Sequence, residues 1–173
     1  WRWIYDPLYG LLNIGLKALG GQPQRWLGEP RMIIPALAII SAWQCGFAMI
    51  VFLAGLVNIP SRLYEASEID GAGAWQKFRY ITLPMLKPTT FFLLVTGLIG
   101  AFQVFDIVYV LFRTGGGTMG GPGQAGLTYV LSLFDHAFRY YEMGVACAMS
   151  FILFVIILIV TYLQFRFVPR SYE

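Results

Sequence analysis

Residues 143–165 read MGVACAMSFILFVIILIVTYLQF, a run of 23 positions without a charged side chain. A helix rises about 1.5 Å per residue, so this run is long enough to cross the roughly 30 Å hydrocarbon layer of a bilayer. It lacks the polar stripe that a surface helix of a soluble protein presents to water. The run therefore predicts a membrane-spanning helix.

Two further runs have the same character. Residues 32–57 contain no charged side chain, and residues 89–112 contain one, Asp106. Helix is expected in all three runs because lipid offers no partners for backbone N–H and C=O groups. The whole chain is 58% hydrophobic and 12% charged, whereas soluble domains are about a quarter charged. We therefore predict an all-α, polytopic membrane protein with three transmembrane helices in this chain.

The segments at the two ends and between the first two spans differ in polarity. Residues 1–31 are mixed, with an amphipathic stretch over 7–19 that stops at two glycines and no signal-peptide pattern. Residues 58–88 form a compact polar loop, and residues 166–173 form a polar tail. Because the first residue is Trp1, we expect the chain to be the back part of a longer protein.

The segment between the second and third spans, residues 113–142, begins with glycines. The run 113–123 is glycine-rich, and regular helix is not expected there. It lacks the Lys-Ser/Thr ending of a phosphate-binding loop. A shorter helix at the membrane interface is expected near 127–141.

The polar loop carries a helix–turn–helix pattern. Its central part, residues 59–84, reads IPSRLYEASEIDGAGAWQKFRYITLP. Ser61 predicts the N-cap of a first short helix. Gly71 and Gly73 permit a sharp turn after that helix, and a second short helix is expected over 74–80.

The charge of this loop suggests a protein partner. Pro84 is expected to close the second helix. The two short helices are expected to present Glu65, Glu68 and Asp70 near Trp75. Anionic headgroups repel acidic side chains, which makes a lipid surface a poor partner. The basic residues do not decide the orientation, since six lie in 58–88 and the tail and six lie in the other segments.

The loop resembles a known signature. The loop has the order Glu65-Ala66-Ser67, Gly71, Ile81 and Leu83-Pro84. This order resembles the loop of permease subunits in binding-protein-dependent ABC importers. The sequence around it resembles the carbohydrate-uptake branch of that family. Ser67 stands where the family often has a second alanine, and the glycine-rich run is several residues longer than usual. Further matches flank the loop, at 26–30, 54–56, 115–117 and 137–144.

The resemblance implies an architecture and a function. It implies a permease of roughly six spans in a bacterial or archaeal inner membrane, which moves a sugar or related carbohydrate. The implied partners are ABC ATPase subunits, a second permease subunit, an extracytoplasmic solute-binding protein, a sugar and the lipid bilayer. ATP would be hydrolysed by the separate ATPase subunit, so the chain itself is expected to be no enzyme and to need no cofactor.

The resemblance also assigns sides and residues. The loop 58–88 and the tail would be cytoplasmic, while 1–31 and 113–142 would be extracytoplasmic. The loop would dock in a cleft of the ATPase and couple ATP hydrolysis to movement of the spans. The implied coupling residues are Glu65, Ala66, Ser67, Asp70, Gly71, Ala72, Ile81, Leu83 and Pro84.

A second group of polar side chains lies inside the spans. Thr96, Gln103, Asp106 and Tyr109 follow helical spacing on the second span, so we expect them on one face. Polar groups in lipid are costly and usually face a bundle interior or a wet cavity. The candidate substrate path therefore comprises Ser41, Gln44, Gln103, Asp106 and Tyr109. Hydrogen bonding between helices is the alternative role.

Other chemistry has little support. His136, the only histidine, has no nearby ligand pattern, so no metal site is expected. No basic cluster indicates nucleic acid. Two rival functions remain: a membrane-embedded enzyme with Asp106, His136 and Glu142 as candidate catalytic groups, and a passive channel or structural subunit, which would not need the loop signature.

Overall fold

The computed structural model of the chain describes residues 1–113 and 119–167. Within those ranges the secondary structure is helical and contains no strand, as predicted. The α-helices in chain order are α1 (Leu11–Ala18), α2 (Pro30–Trp43), α3 (Gly46–Val57), α4 (Ser61–Ile69), α5 (Ala74–Lys77), α6 (Leu83–Met85), α7 (Lys87–Phe102), α8 (Asp106–Arg113), α9 (Tyr129–Phe138) and α10 (Met143–Phe167). The glycines 115–117 and the tail 168–173 lie outside the described residues.

Three helical stretches are long and apolar enough to cross a membrane, which confirms the predicted number of spans. They are Pro30–Val57, Lys87–Phe112 and Met143–Arg166, with mean hydropathies of 2.0, 2.1 and 2.9. Only 6–11% of their most apolar windows is buried within the chain. The remaining apolar surface must be covered by lipid or by other helices.

The first two spans are interrupted, which corrects the expectation of continuous helices over 32–57 and 89–112. One break separates α2 from α3 at Gln44 and Cys45, and the other separates α7 from α8 at residues 103–105. At the second break the N–H of Gln103 donates to the carbonyl of Gly100 at 3.1 Å, which tightens the last turn of α7. A new helix then starts at Asp106, whose carboxylate suits the positive end of a helix.

The chain divides into two compact units, of which the first comprises residues 1–43 and 100–159. Its hydrophobic core joins the N-terminal segment to α2, α8 and α9 through Tyr5, Ile33, Val108 and Leu131, all of which are almost fully buried. The hydroxyl of Tyr5 donates to the carbonyl of Ala36 at 2.7 Å. This core holds the segments before the first span and after the second span together.

Asn13 organises the segment that precedes the first span. Its Nδ2 donates to the carbonyls of Pro7 at 3.1 Å and Gln24 at 2.9 Å. Its Oδ1 accepts from the N–H of Gln24 and from Nε1 of Trp26, both at 3.0 Å. Because both ends of this buried amide are paired, it ties α1 to the chain that leads into α2.

The second unit comprises residues 44–99 and 160–173. It contains α3, the polar loop, most of α7 and the end of α10. Helices α3 and α7 approach closely at Gly55, where a Cβ atom would lie 2.8 Å from Oγ1 of Thr89. The rings of Phe91 and Phe165 meet edge to face with centroids 4.9 Å apart, which packs α7 against α10.

Candidate functional site

The first arm of the polar loop is α4, and it ends in a turn that depends on Gly71. After α4, the N–H of Gly71 donates to the carbonyl of Glu68 at 3.0 Å and the N–H of Ala72 donates to that of Ser67 at 2.9 Å. This pair of bonds defines a Schellman motif, whose C′ residue takes the left-handed conformation. Gly71 has a φ of 73°, as the predicted sharp turn requires.

The second arm of the polar loop, residues 74–85, is longer than predicted. Helix α5 continues as a π-helical turn over Phe78–Thr82 and then as α6, so Pro84 does not end the helix as expected. Pro84 lies inside this helical run, which ends one residue later at Met85. The Ser61 cap prediction was also wrong, because Pro60 occupies the cap position and no side chain caps α4. Gly73 is extended rather than turned.

Two side-chain contacts fix the angle between the arms. The hydroxyl of Tyr64 lies 2.8 Å from Oγ1 of Thr82. Nζ of Lys77 donates to Oε1 of Glu68 at 2.8 Å, and this hydrogen bond, with the charge of Lys77, lowers the pKa of the Glu68 carboxyl below its usual value. Glu68 therefore has a structural role within the loop. The two arms, residues 61–85, form one unit, the bracket.

The outer surface of this bracket combines free carboxylates with apolar side chains. Glu65 and Asp70 are exposed, and neither carboxylate has a hydrogen-bond or ion-pair partner within the described ranges. Ile69 is 89% exposed, Trp75 73% and Tyr80 75%. Ile69 and Tyr80 were not predicted as site residues, although large apolar residues in an otherwise polar loop were a usable signal.

The other predicted coupling residues differ in exposure. Ala66 is exposed, and Ser67 is half-buried with its hydroxyl donating to the carbonyl of Tyr64 at 2.7 Å. Leu83 is exposed, whereas Ala72, Ile81 and Pro84 are half-buried. The bracket therefore brings Glu65, Ala66 and Asp70 to an exposed surface, while Ser67 supports the first arm.

The predicted path residues do not share one helical face. Gln103 lies in the break after α7 and Asp106 begins α8, so the spacing that was assumed to align them with Thr96 is lost. Thr96 donates its hydroxyl to the carbonyl of Phe92 at 2.9 Å. The ring of Tyr109 stacks on that of Phe105 with centroids 4.9 Å apart, so it belongs to an aromatic cluster.

Two other candidates lie at the first break or beside it. Gln44 is exposed and occupies the break itself. Ser41, near the end of α2, donates its hydroxyl to the carbonyl of Leu37 at 3.0 Å and so satisfies itself within its helix. Each interrupted span therefore carries one glutamine at its break.

Gln103 lines a groove of about 450 Å³ between α9 and α10. The groove is mainly apolar, and its other hydrogen-bonding side chain is Ser150, whose hydroxyl donates to the carbonyl of Ala146 at 3.0 Å. Irregular backbone at membrane depth is tolerated where protein buries it or where it lines a wet cavity. The break at Gln103 borders the groove between α9 and α10.

The structure does not assemble the groups of a membrane enzyme. Nδ1 of His136 lies 2.7 Å from Oε2 of Glu142, but Asp106 makes no hydrogen bond or ion pair with either of them. In the part of the chain that is described, no group of three or more His, Cys, Asp or Glu side chains could hold a metal ion. The loop is therefore the stronger candidate site.

Comparison with known sequences identifies a family and named relatives that this chain resembles. The model of a family described as "Binding-protein-dependent transport system inner membrane component" matches residues 11–171. The trehalose/maltose transport system permease protein MalF of Thermococcus litoralis is 43% identical, with 91% of this chain and 52% of that protein covered. The arabinooligosaccharides transport system permease protein AraP of Bacillus subtilis is 38% identical, with 90% and 49% covered.

Solved structures share the fold. A bacterial ABC transporter involved in the import of the acidic polysaccharide alginate superposes with a TM-score of 0.83 at 24% identity, over 99% of this chain and 58% of that chain. A bacterial alginate ABC transporter in complex with an alginate pentasaccharide-bound periplasmic protein gives 0.80 at 25% identity, over 94% and 55%. The chain spans about half the length of the curated relatives it matches.

Proposed function

Because the chain belongs to the family of binding-protein-dependent transport system inner membrane components, we propose that it forms the C-terminal part of the membrane-spanning domain of a permease subunit in an ATP-driven importer of sugars. Relatives named for arabinooligosaccharide, trehalose/maltose and lactose transport support a carbohydrate substrate. ATP hydrolysis belongs to a separate ATPase subunit in this proposal.

The observation that carries the proposal is the bracket formed by α4 and the helical run after it. It is rigid, because the Schellman turn and the Tyr64–Thr82 and Glu68–Lys77 contacts fix its shape. The exposed carboxylates of Glu65 and Asp70 have no partner within the described chain, and a docking protein can supply one. A rigid element that docks on the ATPase transmits closure of the ATPase to the spans.

This function implies a topology and further partners. The bracket faces the cytoplasm, so residues 1–31 and 113–142 are extracytoplasmic and the chain is multi-pass in the inner membrane. A second permease subunit covers part of the exposed apolar surface of the spans. An extracytoplasmic solute-binding protein delivers the sugar, and the structural neighbour that was solved in complex with a periplasmic protein supports that partner.

The sugar path in this proposal follows the helix breaks. Gln44 and Gln103 are exposed amides at the two breaks, where the regular hydrogen bonding of the helix is interrupted. Amides and backbone groups can replace the water around sugar hydroxyls. Asp106, at the start of α8, remains a proposed path residue, whereas the packing of Tyr109 and the internal bond of Ser41 make their contact with sugar less favoured.

Replacing Glu65 tests the docking function. In the reconstituted full-length importer, Glu65→Ala is expected to weaken association of the ATPase subunit about tenfold, because one charge-assisted contact is lost. The permease should remain folded, since this carboxylate makes no hydrogen bond or ion pair in the described chain. Association is measured by titrating the purified ATPase onto the permease in nanodiscs.

Glu29→Ala is the matched control, because Glu29 is also an exposed acid but lies on the extracytoplasmic side in the proposed topology. It should leave ATPase association unchanged. Equal affinities for wild type and Glu65→Ala would contradict docking through this surface.

Replacing Gln103 tests the path. Gln103→Leu keeps similar bulk but removes both hydrogen-bonding functions of the side chain. It is expected to raise the sugar concentration for half-maximal uptake about tenfold, which corresponds to one lost hydrogen bond of about 1.4 kcal/mol. Uptake of labelled sugar into proteoliposomes measures the effect, with Gln22→Leu, an exposed extracytoplasmic amide, as control. Unchanged uptake would reassign Gln103 to contacts between helices.

A further inference from the structure

A second cavity is lined by residues that belong neither to the bracket nor to the helix breaks. It has a volume of about 360 Å³ and lies between α9 with its following turn and the segment around Gln124. Ligand sites commonly begin near 300 Å³. Its polar lining includes Gln124, Ser132, Asp135 and Arg139, and neither the docking function nor the proposed path uses these residues.

Asp135 is the unusual member of this lining. It is only 7% exposed, because it follows the core residue Leu131 by one turn on the buried face of α9. Its Oδ1 atom is shielded from solvent and has no hydrogen-bond partner in the described residues. Buried polar atoms are nearly always paired, so an unpaired oxygen in a carboxylate whose residue belongs to the cavity lining indicates a missing donor.

The charges of the cavity select the class of that donor. Arg139, one turn after Asp135, lines the same cavity and is exposed. A cationic ligand would be attracted by Asp135 but repelled by Arg139, and an anionic ligand the reverse, so a ligand with one net charge gains little from the pair. A neutral ligand with several hydroxyls can donate to the carboxylate and accept from the guanidinium at the same time. Tyr140, 58% exposed, adds a ring face for the apolar side of a sugar.

The wall that carries Arg139 and Tyr140 is held in a defined shape. Tyr141 has a φ of 60°, an uncommon conformation for a bulky residue. The N–H of Glu142 donates to the carbonyl of His136 at 2.8 Å, and the side chains of the same two residues pair at 2.7 Å. These contacts close the turn, so the two lining residues do not depend on a ligand for their position.

We infer that this cavity is a second carbohydrate site, on the extracytoplasmic side of the chain and separate from the path through the spans. The inference rests on the proposed function, which supplies both the side and the sugar. Asp135 accepts from sugar hydroxyls, while Arg139 and Gln124 donate to sugar oxygens. The site holds sugar near the entrance before it reaches the helix breaks.

The test uses the assembled full-length importer in lipid nanodiscs without the solute-binding protein. All variants carry Gln103→Leu, which weakens the path site. Maltose, trehalose, lactose and arabinotriose are the probes, and saturation-transfer NMR and the sugar-induced rise in Tm measure binding. Asp135→Asn and Arg139→Gln are each expected to raise the Kd of the bound probe about tenfold, because each removes one charge-assisted bond.

The ligand-free Tm separates binding from folding. Asp135→Asn should leave it unchanged or raise it, because an unpaired buried charge is removed. Weaker sugar binding without a loss of stability supports a ligand site. Unchanged Kd values in both variants, or no binding of any probe to the parent protein, would overturn the inference.

Two other results would assign the cavity to a different occupant and so also overturn the inference. Tighter binding of a cation such as methylammonium in Arg139→Gln would indicate a cation site. Weaker association of the sugar-free solute-binding protein in Asp135→Asn, with sugar affinity unchanged, would indicate a basic side chain of that protein. Failure of the wild-type importer to take up any sugar would contradict the proposed function, whereas normal uptake with unchanged Kd values contradicts only this site.

Discussion

An importer that carries Gly71→Pro is expected to lose sugar-stimulated ATP hydrolysis. Gly71 has a φ of 73°, whereas proline requires a φ near −65° and has no N–H to donate to the carbonyl of Glu68. The Schellman turn cannot form, so α4 and the second arm lose their fixed angle. The rate of ATP hydrolysis by the reconstituted importer, with sugar and solute-binding protein present, measures the loss.

A matched pair of alanine variants isolates the conformation of the turn. Gly71→Ala forces a Cβ into the left-handed region at a cost of about 1–2 kcal/mol, so coupling should be reduced but present. Gly73 is extended, with a φ of −71°, and a Cβ there would meet only Oε1 of Gln76 at 3.8 Å. Gly73→Ala should therefore behave as wild type. Equal activity of Gly71→Pro and Gly73→Ala would remove the loop from the coupling mechanism.

The second large effect is expected at Gly121, where substitution should destabilise the unit formed by residues 1–43 and 100–159. Gly121 has a φ of 79°. A Cβ there would lie 2.5 Å from the ring of Phe112 and 3.0 Å from Cδ1 of Ile33. Left-handed strain and overpacking together predict a loss of about 2–5 kcal/mol for Gly121→Ala. Thermal unfolding of the purified full-length permease measures this loss.

Gly15→Ala is the control for that experiment. Gly15 lies inside α1, and no atom lies within 4 Å of the position that its Cβ would take. Alanine is favoured over glycine within a helix by about 0.5–1 kcal/mol, so this variant should be as stable as wild type or slightly more stable. A Gly121→Ala protein with wild-type Tm would show that the segment 119–126 does not pack tightly on α2 and α8.

Several features of the fold were predictable because they depend on local composition or spacing. The three spans follow from the length of the apolar runs, and the turn at Gly71 follows from glycine after a short helix. The shorter helix predicted near 127–141 is present as α9. Boundaries were less accurate, since Ser61 was wrongly predicted as a cap and Pro84 was wrongly predicted as a helix end.

The candidate site shows the same division. The order of Glu65, Asp70 and Gly71 indicated a docking loop, but periodicity could not reveal that Glu68 pairs with Lys77 while Glu65 has no partner in the described chain. The face expected for Gln103 and Asp106 was wrong because the helix breaks between α7 and α8. Helical spacing relates two residues only while the same helix continues.

The sequence alone therefore determined the number of apolar spans and the family signature of the loop. Each depends on residue type and spacing along the chain. Tertiary structure alone decided that Asn13 pairs at both ends of its amide, that Gly121 packs on Ile33 and Phe112, and that Asp135 is buried beside a cavity. These contacts join residues that are distant in sequence, and no local pattern specifies such distances because they exist only after the helices have packed.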